Sequence, residues 1–473
     1  MHSTFHLKTL AVAIAALSMA SMGNAAGLDR SGQDMTAFLQ DGLYAEVVYT
    51  YIDADVSGND NAYIGPDKKA YEQGNKIGDI AESYDFFRYG VKADINDTFS
   101  VGILYDEPFG AAALYTGDND FVSQGDPDRS IQSISEGMFQ NDGQAETFRD
   151  DLTDIIVDQN TDPQTRLALI AQRAKVDGIR ASAAAEVGNA GQGTQVEVRS
   201  ENITAILGAK FGANKNFQVY GGPVAQQIKA NLKIRGLAYG AGTGYNANIN
   251  PDQDYGYLAG ISYSKPEIAL MAALTYRSEI EHNADIFETY PVAPALGLPR
   301  SRAGTIEITT PESINFDFQT GINPTTLATA RVRYVPWSDF ELNPPLFNDV
   351  SKVSAGDDTG FPLLDYKDDQ YLVELGLAKR LSPVLAVSGN IGWDSGAGDP
   401  ATSLGPIDGY YSVGLGAKYN VTPTVAVSAG GKYLWFGDAK GEISSGKTVS
   451  DFKDNDGYIL GVKLSYQAKQ SFN

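Results

Sequence analysis

The C-terminal stretch of this chain puts its large side chains on every second position. Tyr458, Leu460, Val462, Leu464 and Tyr466 fall on one side, while Ile459, Gly461, Lys463 and Ser465 fall on the other. Successive residues of a strand point to opposite faces, so the segment carries one greasy face and one small or polar face. Tyrosines at both ends of the greasy face bracket an apolar band, as aromatic residues do where a bilayer meets water. The same period begins near residue 43 and recurs to the C-terminus. The pattern predicts an all-β chain, a transmembrane antiparallel β-barrel over residues 43–473 with lipid outside and water or cargo inside.

The N-terminus suits such a barrel. A basic start ending in Lys8 leads into an apolar run from Leu10 to Met22, then Gly23, Asn24 and Ala25. This reads as a signal peptide over residues 1–25, and its apolar run is shorter than the ~20 residues a membrane-crossing helix needs. Localisation in the outer membrane of a Gram-negative bacterium follows. The chain has no cysteine, so stability must come from sheet closure and lipid rather than disulfides. A net charge of −23 argues against nucleic acid as a partner. Acidic groups such as Asp118, Asp120, Asp126 and Asp128 fall in expected outer loops. They read as a solvated, repulsive surface, since no loop has EF-hand spacing and no metal site is expected.

Fourteen segments carry the strand period: 43–56, 83–96, 98–109, 194–212, 216–234, 254–264, 267–283, 302–320, 324–337, 369–381, 383–395, 408–420, 423–438 and 455–467. Their connections alternate. Tight links such as Asn96-Asp97, Lys265-Pro266 and Val421-Thr422 separate long ones, of which 110–193 is the longest. Short periplasmic turns and long outer loops give this asymmetry. The 110–193 loop is expected to be partly helical, because Asp162-Pro163 is a cap and first-turn signal and apolar residues follow at helical spacing. Leu152, Ile155, Ile156, Leu167 and Ile170 would form either a packed stripe or a greasy surface that captures ligand.

The expected inner wall mixes apolar groups with charges, which points to an amphipathic cargo. Lys229, Lys233 and Arg235 alternate with Ile228, Leu232 and Ile234, and a bulge at Gly221-Gly222-Pro223 would turn the basic set inward. Arg331 and Arg333 make a second inward basic pair. These five cations could hold a carboxylate headgroup by charge-assisted hydrogen bonds, or pair with inner carboxylates. The tail would lie along Leu258, Met271 and Leu372. Catalysis is not expected: only His282 remains beyond the signal segment, expected at the surface of the rim, and there is no G-x-S-x-G elbow. No cofactor is expected, and the barrel is read as a monomer.

The segment Ala273 to Glu279, reading A-L-T-Y-R-S-E, resembles a strand motif of the FadL family of outer-membrane transporters for long-chain fatty acids and other hydrophobic compounds. The stretch from Pro311-Glu312 through Asn323-Pro324 to Trp337-Ser338-Asp339-Phe340, and the opening Ala26-Gly27-Leu28, are similar to that family too. The resemblance implies a passive transporter of fourteen strands. Its lumen is blocked by an N-terminal plug, here residues 26–42, and ligand captured at outer loops leaves sideways through the wall. It also implies that Lys233 and Arg235 match the segment meeting the headgroup. The alternatives are a channel for neutral aromatic hydrocarbons and a structural or adhesive surface barrel that transports nothing.

Overall fold

The computed structural model describes residues 28–356 and 358–468, and the signal segment 1–25 lies outside the described residues. Fourteen wall strands form one closed antiparallel sheet. The first five are β1 (Leu43–Asp55), β2 (Tyr84–Asp94), β3 (Phe99–Asp106 and Gly110–Leu114), β4 (Gln195–Phe211) and β5 (Phe217–Lys233). Then come β6 (Asn246–Lys265), β7 (Leu270–Arg277 and Ile280–Thr289), β8 (Ser301–Thr310 and Ser313–Asn323) and β9 (Thr326–Val335). The last are β10 (Gln370–Arg380), β11 (Leu385–Asp394), β12 (Tyr410–Asn420), β13 (Val425–Phe436) and β14 (Asp456–Ala468). Closure comes from β1, which pairs with β14 from Leu43↔Ala468 upward and with β2 on its other side. A closed sheet leaves no edge in lipid.

The outward faces match a bilayer. Tyr411, Trp393, Tyr371 and Tyr334 align across neighbouring strands near the outer ends, and Phe211, Phe217 and Tyr263 do so near the turns. Apolar residues such as Leu415, Leu377 and Leu464 are exposed between these belts. Inward faces grade with depth. Glu46, Lys92, Lys418 and Lys463 line the periplasmic half, whereas Ile52, Tyr84, Tyr410 and Ile459 line the outer half of the same strands.

The facing of β5 differs from the sequence expectation. Its pairing with β4 keeps one register from Phe211↔Phe217 to Gln195↔Lys233, so no bulge occurs at Gly221-Gly222-Pro223. Gln218, Tyr220, Val224, Gln226, Ile228 and Leu232 face inward, and Lys229 and Lys233 therefore stand on the outer side. The glycines serve close approach instead: a Cβ on Gly222 would sit 1.9 Å from the Ala205 carbonyl oxygen. The bulge lies higher, where Ile228↔Asp252 steps to Ala230↔Ile249 against β6.

Over the mouth, residues 110–193 contribute three helices, α1 (Pro127–Ile134), α2 (Asp142–Val157) and α3 (Pro163–Gly188). A fourth, α4 (Pro345–Ala355), follows β9. Asp162 caps α3 by accepting from the Gln164 and Thr165 amides, with Pro163 in the first turn. Short strands at 58–61, 73–77, 401–402, 439–442 and 448–452 form a second sheet across the outer loops. No helix among the described residues is long and apolar enough to cross a membrane.

Candidate functional site

Inside the wall the chain from Leu28 to Gly42 crosses the lumen and is held there by ions. The Arg333 guanidinium donates to both carboxylate oxygens of Asp29, at 2.6 and 3.0 Å, and to Asn315 at 2.8 Å. Arg88 and Arg331 both donate to Asp34, at 2.8 and 3.2 Å, and Arg331 also binds Asp317 at 2.7 Å. A tight turn at Gly32-Gln33, with φ of 58° and 50°, lets the segment double back. Below that turn Met35 and Phe38 pack against Ile206, Tyr220 and Leu258.

The same segment props open the wall. Strand β3 is interrupted at Glu107-Pro108-Phe109, where the Arg30 amide donates to the Pro108 carbonyl and the Gly110 amide to that of Leu28, at 2.7 and 2.8 Å. Proline cannot donate to a ladder, so a break here costs the sheet less. Between Tyr89↔Tyr105 and the bridge Ala81↔Ala113, strands β2 and β3 share no ladder pairing except a bond from the Glu82 amide to the Ala112 carbonyl. Edge backbone groups freed in this interval are partly taken up by the lumenal segment.

Behind the interval lies an apolar cavity of about 100 Å³, lined by Leu28, Phe109, Ala112, Val196, Ile228 and Trp337 among others. Ala81 and Ala111 to Ala113 line it too, so the cavity reaches the break in the wall. Nearer the outside a second cavity of about 290 Å³ is lined by Ile134 of α1, Leu237, Tyr290, and Phe347 of α4. Thr402 and Leu404 line both. The inner cavity, apolar with few polar groups, has the lining of a small-molecule site, whereas the outer one also carries Ser351, Ser403, Glu442 and Lys447.

Two residues beyond Leu28, which lines the inner cavity, is Arg30, with 1 % of its surface exposed and itself outside the lining. Its Nε donates to the Gly110 carbonyl at 2.6 Å, while both terminal nitrogens are buried without a hydrogen-bond partner among the described residues. Arg30 escaped the sequence reading because it follows no strand period. Its only signal was a basic residue within the short segment ahead of the first strand.

The residues singled out in sequence scatter. Arg331 and Arg333 do face inward, but their donors go to Asp29, Asp34 and Asp317. Arg235 is buried at the outer rim on Gln192, Asn246 and the carbonyls of Ile234 and Tyr245. Lys229 is exposed yet is the one predicted cation that lines the inner cavity, and the Lys233 Nζ donates to Gln195 at 3.2 Å. Leu258 packs on the lumenal segment and Leu372 in a cluster with Leu434 and Phe436, while Met271 is half-buried beside Gln319. None of the three lines either cavity. On the helical loop Leu152 is buried and Ile156 half-buried, while Ile155, Leu167 and Ile170 are exposed. His282 corrects the expectation of a surface residue: it is fully buried, 3.0 Å from both Asp252 and Gln226, because β7 turns it inward. Among the described residues no three His, Cys, Asp or Glu side chains are grouped to hold a metal.

A closed barrel with lipid-facing aromatic belts, a lumen crossed by its own N-terminal segment and an apolar cavity behind a break in the wall define an outer-membrane channel for hydrophobic molecules. The chain belongs to the outer membrane protein transport protein family (OMPP1/FadL/TodX), whose model matches residues 174–468. No curated protein matches it significantly in sequence. Its fold is similar to the crystal structure of a Pseudomonas aeruginosa FadL homologue, with TM-score 0.60, 12% identity and 90% of each chain covered. It is also similar to that of the P. putida toluene transporter TodX, with TM-score 0.52, 12% identity and 91% of each chain covered. At these identities the likeness is one of fold.

Proposed function

We propose that the barrel passively takes up hydrophobic molecules that bear a carboxylate, such as long-chain fatty acids. The outer cavity receives the ligand, the inner cavity holds it, and the interval between β2 and β3 lets it leave sideways into the membrane. One observation carries the carboxylate: two guanidinium nitrogens of Arg30 are buried without a hydrogen-bond partner among the described residues, and its Nε donates to Gly110, the neighbour in sequence of Phe109 and Ala111 in the wall of the apolar cavity. A buried donor without a partner costs free energy, and a carboxylate offers the matching pair of acceptors. Arg331 and Arg333 instead anchor the lumenal segment, Lys233 stands on the outer side of β5, and Lys229 lines the inner cavity from that side.

Titration of the purified protein with dodecanoate tests the reading. Arg30→Gln should weaken dodecanoate binding about tenfold or more, the scale of one charge-assisted pair, and leave dodecanol binding unchanged. Equal affinity for dodecanoate in both proteins would remove the carboxylate from the proposal. A second reading, uptake of neutral aromatic hydrocarbons, is favoured by the rings around the cavity: Trp337 meets Phe109 edge-on at 5.6 Å and Tyr366 at 5.3 Å. Displacement of dodecanoate by toluene would favour that reading.

A further inference from the structure

Tyr84 stands beside the interval between β2 and β3. Tyr84 faces inward on β2 and is 2 % exposed, and its hydroxyl donates to Glu107 in the break of β3 at 2.6 Å. From the lumen, the Arg30 guanidinium lies over the Tyr84 ring, 4.0 Å from its centre. From the other side comes Arg199, 4.9 Å from the same centre. Arg199 belongs to β4, between the inward-facing Val198 and Ser200, so it points out of the barrel, and 39% of its side chain is exposed. An outward side chain of β4 can touch an inward side chain of β2 only because β3, which should separate them, has bent away. The Arg199–Tyr84–Arg30 stack therefore runs through the wall from outside to inside.

We propose that Tyr84 is the stopper of the lateral exit, held shut by Arg30 and freed when the lumenal segment moves. The assignment rests on the reading that ligand leaves through this interval. Arg30 ties the two movements together, because its amide bonds to β3 while its guanidinium clamps the ring. Displacement of residues 28–31 would withdraw the inner clamp and leave Tyr84 with Glu107, the half-buried Arg199 and its packing on Phe86.

The test uses the full chain in cells, with uptake of the neutral fluorophore N-phenyl-1-naphthylamine as readout. Tyr84→Ala should raise the initial rate about tenfold, the open population gained when a clamp of typical cation–π strength is lost. Tyr84→Phe keeps the ring and should stay close to the parent. A mere folding defect lowers uptake, so a gain in Tyr84→Ala is specific to a stopper. An unchanged or reduced rate, in protein that still migrates as a folded barrel on unboiled gels, overturns the proposal. Since the chain has no cysteine, Ala111→Cys can be blocked alone with a bulky maleimide. If blocking leaves uptake intact, the lateral exit itself is wrong. If blocking stops uptake while Tyr84→Ala behaves as the parent, the exit stands and only the stopper falls.

Discussion

Arg333 shows how a single residue decides what the lumen contains. Its guanidinium is fully buried and forks onto Asp29, and neither group has access to water that could replace the other. Removing one partner of a buried pair leaves an uncompensated charge and costs about 3–5 kcal/mol. Arg333→Ala should therefore lower the thermal stability of the detergent-solubilised barrel. The double variant Asp29→Ala/Arg333→Ala should lose less than the two single losses added. Strict additivity in the melting curves would deny the pairing. That Arg331 and Arg333 face inward was readable from strand period alone. That they serve the N-terminal segment was not, because their partners lie about 300 residues away in the chain, at separations of 297 and 304.

Among the elements, the strands were legible because each is constrained independently by lipid on one face. The facing of β5 was misread because a Gly-Gly-Pro run signals a bulge and close backbone packing equally well, and only the positions of Ala205 and Leu258 choose between them. The outer loops have their own balance. Asp120 is half-buried beside Asp60 and Arg129, and burial first, then the Asp60 charge, raises its pKa from 3.8 to about 6. A carboxyl that binds its proton more tightly when folded gives a stabilisation that grows as pH falls through about 6 and is lost as pH rises above it. Proteolysis of the 110–193 loop should therefore be slower at pH 5 than at pH 7.5, and Asp120→Asn should flatten the difference. Equal pH dependence in both proteins would show that another group titrates.

At the scale of the whole molecule, the wall encloses a lumen that its own chain closes. Residues 29–42 lie in the periplasmic half, fixed by buried ion pairs and the Met35–Phe38 packing, while the second sheet and α4 lie across the outer half. Deleting residues 29–41 from the full chain should convert a nearly non-conducting barrel into an open pore in planar bilayers. Unchanged conductance would mean that the outer loops, not this segment, form the seal. The wall needs no segment to fold, since its fourteen strands close through β1 and β14.

By itself the sequence determined a closed sheet of fourteen strands, its lipid face, the alternation of short and long connections and the placing of helices in the longest loop. Each follows from a local period or turn signal that a strand carries wherever its neighbours lie. The tertiary structure alone decided the two cavities, the break in β3, and the meeting of Arg30, Tyr84 and Arg199. These depend on the depth at which distant strands cross and on how far one strand bends from the wall, quantities that no period of two records.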